Sequence, residues 1–136
     1  MANRREFVQG SVAASMLVLS PGLLAALDTL HSPGSLPLYK VLVDTRHGES
    51  ARFAASFMEQ GIAAYRMGDG DITSFWRNEL AAVWAQNPAP IAGLTDVSAL
   101  FCLEQLGRQY GLRVLHREVQ PSGLVAWVVA SRGNHG

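Results

Sequence analysis

The chain has 136 residues, 11 basic and 11 acidic side chains and a formal net charge of zero at pH 7. This length is enough for one domain with a single hydrophobic core, and the neutral balance provides no basic surface for nucleic acid or an anionic membrane. The single cysteine, Cys102, excludes an internal disulfide framework and a metal site built from several cysteines. Because Cys102 lies within an apolar helical pattern, we expect it to be buried.

The N-terminal segment has the composition of a secretory leader. Arg4 and Arg5 form a short cationic start, and a weakly apolar stretch interrupted by Pro21-Gly22 follows them. This pattern predicts a signal peptide over residues 1–26, with cleavage after Ala26. The Pro-Gly interruption disfavours a stable membrane span. An ordinary N-terminal amphipathic helix is the alternative interpretation.

Four residues of this segment carry a more specific pattern. Arg4, Arg5, Phe7 and Val8 resemble the twin-arginine export signal of bacteria, although the residues on either side of the match depart from it. The resemblance implies a protein that the translocation machinery exports already folded, to the periplasm or beyond. It would stay anchored to the membrane if the leader were not cleaved. Such proteins typically carry a cofactor or travel with a partner, but the remaining residues indicate no particular cofactor.

The rest of the chain alternates strand and helix patterns. We expect a linker over residues 27–37, a single α/β domain over 38–132 and a disordered tail over 133–136. Strands are predicted at 39–44, 62–67, 90–94, 112–119 and 124–130, and helices at 48–60, 72–86 and 95–110.

The order βαβαβαββ predicts a small two-layer or three-layer sandwich. Its sheet should be mostly parallel, in the flavodoxin-like order 2-1-3-4-5, with an antiparallel hairpin at the C-terminal edge. The last strand, Leu124 to Ala130, is apolar on both sides, which is typical of a strand buried on both faces. In this order the first helix lies alone on one face and the second and third helices lie on the other. One helix cannot cover five strands. We therefore expect a protein partner, a second copy or a retained leader on its spare face, unless the strand lies in the middle of the sheet under the existing helices.

Polar residues gather where the first three predicted strands end. They are Asp44, Arg46, His47, Ser50, Asp69, Asp71, Thr95 and Asp96. Ligands of open parallel sheets bind beyond the carboxyl ends of the strands, and helix N-termini there can hold anions. The set predicts a small-ligand or anion site, with the alternative that these residue types simply form turns and helix caps. No metal site is predicted, although His47 with Asp44 and Asp71 is the group to examine first.

The motifs of common enzyme classes do not occur in the chain. There is no glycine-rich nucleotide loop, nucleophile elbow or zinc-protease motif. Asp44 ends a strand as in aspartate-nucleophile hydrolases, but Arg46 stands where the second aspartate is expected. Three functions stay open: an exported accessory protein with a partner such as a redox protein, a small-ligand or anion-binding module, and an enzyme of unrecognised type.

Overall fold

The computed structural model describes residues 20–31 and 36–131. The signal residues Arg4, Arg5 and Phe7 and the predicted tail lie outside the described residues. No helix in the described part of the chain is long and apolar enough to cross a bilayer.

Every strand and helix expected after the linker is present. The strands are β1 (Val41–Asp44), β2 (Ala64–Met67), β3 (Ile91–Thr95), β4 (Leu112–Val119) and β5 (Val125–Ser131). The helices are α1 (Pro21–Asp28), α2 (Glu49–Met58), α3 (residues 73–86) and α4 (Val97–Arg108). A single 3-10 turn (Thr29–His31) follows α1. Helix α3 is continuous and joins α-helical Thr73–Phe75, π-helical Trp76–Leu80 and α-helical Ala81–Gln86.

The strands form one mixed sheet in the order β2-β1-β3-β5-β4. Strand β1 is parallel to β2 and β3, whereas β5 is antiparallel to both β3 and β4. The predicted fold class and the antiparallel hairpin are confirmed, but the predicted order 2-1-3-4-5 is wrong for the last two strands. Burial explains the difference: six of the seven β5 residues are buried, while β4 alternates with exposed positions such as Arg113 and Arg117. A charged strand tolerates the sheet edge, and an apolar one does not.

Helices cover both faces of this sheet. On one face, Leu42 and Trp127 pack with Trp84 of α3 and Leu100 of α4. On the other face, side chains of α2 and α1 pack on alternate residues of the same strands. The helix residues include Phe53, Phe57 and Leu23, and the strand residues include Val41, Val43, Ala126 and Val128. The result is a three-layer sandwich, with α2 on one side and α3 and α4 on the other as expected.

Helix α1 covers the part of the sheet that α2 does not reach. It contacts β4 and β5, and its Leu23 is fully buried. The residues of this helix belong mostly to the predicted leader, so a segment of the chain itself occupies the spare face of β5. The strand also lies mid-sheet, and its residues from Leu124 to Ala130 are buried. In this conformation they offer no free face to a partner.

Candidate functional site

The structure brings the predicted polar loops together at the carboxyl edge of the sheet. A cavity of about 310 Å3 lies between the loops that follow β1, β2 and β3. Four of the eight predicted residues line it: Arg46, Asp69, Asp71 and Asp96. Sequence position alone predicted this meeting, because β1, β2 and β3 are parallel neighbours whose ends lie side by side.

An ion pair with a buried carboxylate fixes Arg46, the one basic side chain among the described residues that line this cavity. The carboxylate of Asp44 is fully buried, and Arg46 donates to it twice, from Nε to Oδ1 at 2.9 Å and from Nη2 to Oδ2 at 2.6 Å. The backbone N–H of Arg46 donates to the same Oδ1 at 3.1 Å. These hydrogen bonds from Arg46 hold the pKa of Asp44 below its ordinary value. The forked geometry fixes the orientation of the guanidinium, which is charged with or without this partner.

Two further loops close around the Arg46 guanidinium. Its Nη2 lies 3.6 Å from Oδ2 of Asp96, at the start of α4. Gly70 lies against it from the loop after β2, with φ of +77°, and a Cβ at that position would overlap the guanidinium. A glycine is therefore required there both for the left-handed backbone and for the close approach.

The aspartates of the cavity form local hydrogen bonds. Oδ1 of Asp71 accepts from the backbone N–H and the hydroxyl of Thr73, at 2.9 and 2.7 Å, and these bonds lower the pKa of Asp71. Asp69 accepts from the backbone N–H of Asp71 at 3.0 Å. Asp96 caps α4 by accepting from the N–H of Ala99 at 2.9 Å. Turn formation and helix capping, the alternative interpretation, thus account for these residue types.

The charges around the cavity do not favour an anion. Arg46 is balanced by Asp44, while Asp69, Asp71 and Asp96 add three carboxylates to the lining. The first turn of α4 is already capped by the Asp96 carboxylate, which is itself the kind of negative group that helix N-termini attract. The electrostatics suit a cationic or neutral polar ligand better than an anion.

The other predicted residues lie behind the cavity or beside it. Thr95 is fully buried, and its hydroxyl accepts from the indole N–H of Trp127 at 3.0 Å and donates to a backbone carbonyl at 2.9 Å. Ser50 is buried and donates to the backbone carbonyl of Asp44 at 2.5 Å. His47 contributes backbone hydrogen bonds to the turn between β1 and α2. Thr95 and Ser50 thus support the edge with buried side chains, and His47 supports it with its backbone.

The metal group that the sequence singled out does not assemble. Within residues 20–31 and 36–131, no three His, Cys, Asp or Glu side chains are placed to hold an ion. The Asp44 carboxylate is hydrogen-bonded to Arg46 and the Asp71 carboxylate to Thr73, so both carboxylates already have other partners.

Comparison with known protein families, with curated proteins and with solved structures gives no match to any of the three.

Sequence reasoning missed a polar cluster on α3. Oε1 of Glu79 accepts from Lys40 Nζ at 2.5 Å and from the Tyr39 hydroxyl at 2.7 Å. The hydrogen bond to Glu79 raises the pKa of Lys40. Glu79 lies in the π-helical part of α3, which no propensity signals. That Lys40 is the only lysine of the chain was the one available hint.

Sequence reasoning also misplaced one residue of α4, and the same helix exposes two large apolar side chains. Cys102 is exposed, so the expectation that it is buried is wrong. Phe101 and Val97 are each 58% exposed, and Val119 on β4 is 72% exposed. Val119 lies on the same side of the sheet as α4, because it pairs with Val125, whose side chain belongs to the core under α3 and α4. We call Val97, Phe101 and Val119 the α4–β4 patch.

Replacement of Asp44 by Asn should test the ion pair. At pH 7 we expect the free energy of unfolding to fall by about 1–3 kcal/mol, because a buried charge-assisted bond is weakened. Since the pKa of Asp44 is lowered in the folded state, its contribution is present above the unfolded value and is lost as pH falls through the folded value. The difference between wild type and Asp44→Asn, from urea unfolding at several pH values, should therefore shrink below about pH 4. A constant difference from pH 7 to pH 3 would contradict this origin.

Proposed function

We propose that the protein is an exported accessory protein of the bacterial envelope that binds a protein partner through the α4–β4 patch. The observation that carries this proposal is the exposure of three large apolar side chains on one side of the sheet, Val97 and Phe101 on α4 and Val119 on the edge strand β4. Single exposed apolar residues are ordinary. A group of them next to a sheet edge is typical of surfaces that bind other proteins.

The edge strand supports a protein rather than a small molecule as the ligand. In the described part of the chain, β4 pairs only with β5, so its outer side can accept another strand. On the α4 side, Arg117 lies 3.4 Å from Glu104, which links the edge strand to the helix and borders the patch with charge. An apolar centre with a charged rim is the usual composition of a protein interface.

The proposed location of the protein in the bacterial envelope depends on the N-terminal leader. The match of Arg4, Arg5 and Phe7 to the twin-arginine pattern supports delivery to the periplasm by the translocation machinery. Export in the folded state suits a compact domain whose core is formed by residues from α1 to β5. A redox protein is one class of partner that shares this route.

Replacement of Arg4-Arg5 by Lys-Lys should abolish export. We expect the wild-type chain in the envelope fraction of a bacterium that has the twin-arginine machinery, and the variant in the cytosol, because the machinery recognises the paired guanidinium groups. Fractionation with immunodetection measures the change. An unchanged distribution would remove the export part of the proposal and leave the patch untouched.

The patch can be tested with the native cysteine. Cys102 is exposed, follows Phe101 on α4 and lines the neighbouring cavity, and it is the only cysteine, so a thiol-linked photo-crosslinker with a spacer that reaches the patch can be attached without other changes. We expect a crosslinked partner in envelope fractions, and a loss of at least tenfold in Phe101→Asp, because buried aromatic anchors dominate interfaces. Met58→Asp is the matched control, since Met58 is 47% exposed on α2, on the other side of the sheet. Equal crosslinking in both variants would contradict the assignment, and a crosslink between two copies would identify the partner as a second chain.

A small-molecule site at the carboxyl edge is the second candidate function. The favouring observation is the cavity of about 310 Å3 that combines an oriented guanidinium from Arg46 with three carboxylates. Such a lining can bind a polar ligand that carries an amine, with the carboxylates accepting its N–H groups and Arg46 donating to an oxygen.

This candidate is tested by thermal denaturation in the presence of defined ligands. Primary amines and amino alcohols should raise the melting temperature of the wild type by several degrees, as expected for ligand well above its dissociation constant, and phosphate or sulfate should not. Asp69→Asn should lose the rise, whereas Glu59→Gln, an exposed carboxylate beyond the end of α2, should retain it. A rise with anions alone would reverse the electrostatic argument.

A further inference from the structure

We infer that residues 20–28 stay in the mature protein as part of its fold, and that any leader processing takes place before Ser20 rather than after Ala26. This inference rests on the proposed export for its cellular meaning, but its structural part stands on the packing of α1. The sequence pattern places the cleavage point inside a helix that is docked on the sheet.

The apolar part of the docking is centred on one fully buried side chain, and partly buried apolar side chains of α1 and the following 3-10 turn add to it. Leu23 is 0% exposed and belongs to the same core cluster as Leu124, Ala126 and Val128 of the hairpin. Its neighbour Leu24 is 40% exposed. The helix thus presents a defined inner side to the sheet, as an integral element of the core does.

The polar part of the docking fixes the start of the helix. The hydroxyl of Ser20 accepts from the backbone N–H of Leu23 at 3.1 Å, which caps α1, and donates to Oε2 of Glu118 on β4 at 2.7 Å. Pro21 occupies the first turn, where proline is favoured. A Cβ at Gly22 would lie 2.8 Å from the His116 ring, so the helix backbone rests directly on β4.

Cleavage after Ala26 would dismantle this arrangement. It would remove Leu23 and the Ser20 cap, and only the last two residues of α1, Leu27 and Asp28, would remain. The inner residues of β5 on that face would then lose their cover, although an exposed apolar face at the centre of a sheet favours aggregation. The peptide bond is also helical, whereas proteolysis favours exposed, unstructured segments. The folded domain therefore protects the bond that the sequence marks for cleavage.

The inference is tested on the full-length chain. In a bacterium with a twin-arginine pathway, the exported protein should have its N-terminus at or before Ser20, as read by intact mass and N-terminal sequencing. An N-terminus at Leu27 on the folded, exported protein would overturn the inference.

A second arm does not depend on export. In the full-length chain, Leu23→Ala should lower the melting temperature by about 10 °C, because a buried leucine leaves a cavity. The matched variant Leu24→Ala should change it by about 2 °C or less, since Leu24 is partly exposed on the same helix. Equal changes would show that α1 does not cover the sheet and would overturn the inference. A chain found only in the cytosol would remove the proposed export, while the comparison of Leu23 with Leu24 would still decide the packing.

Discussion

The two-sided burial of β5 is the constraint on which the rest of this structure depends. Trp127 and Val129 face the core under α3 and α4, while Ala126 and Val128 face the core under α1 and α2. A strand of this kind must lie inside the sheet and must be covered twice. The first requirement places β5 between β3 and β4, and the second requires an element on the face that α2 leaves open. Helix α1 meets that second requirement.

The same strand organises the carboxyl edge. The indole N–H of Trp127 reaches the hydroxyl of Thr95 at the end of β3, next to the Asp96 cap of α4. Asp44, at the end of the adjacent β1, orients Arg46 toward Asp96. The edge is therefore preorganised from the core outward, because Arg46 is held by a buried carboxylate and Asp69, Asp71 and Asp96 by backbone N–H groups. Preorganisation of this kind is found in binding sites and in rigid loops alike. The choice between an anionic and a cationic or neutral ligand therefore depends on the charge balance of the lining and not on its position in the fold.

The alternation of strand and helix patterns from residue 39 onward was enough to predict the fold class and the meeting of the polar loops. The order of β4 and β5 was not predictable from connectivity, because a hairpin can be placed either way round, and only the burial of β5 decides it. The exposure of apolar residues on α4 was not predictable for a related reason. Val97 and Phe101 are four residues apart and the buried Leu100 and Leu103 are three apart; both spacings put residues on one helix face, so periodicity alone cannot select which apolar residues face the sheet.

The N-terminal segment is ambiguous for a different reason, since a leader and a packed helix can have the same composition there. Small and apolar residues around Ala26 are typical of the end of a leader and equally of a short helix packed on a sheet. The feature that supports the packed helix is the hydrogen bond from Ser20 to Glu118, which joins positions 98 residues apart in sequence and has no local sequence pattern. The α1 contacts and the α4–β4 patch lie on opposite faces of β4, because Glu118 faces α1 whereas Arg117 and Val119 face α4. A partner bound at the patch therefore leaves α1 in place, so retention of the N-terminal segment and recognition of a partner are compatible in one folded state.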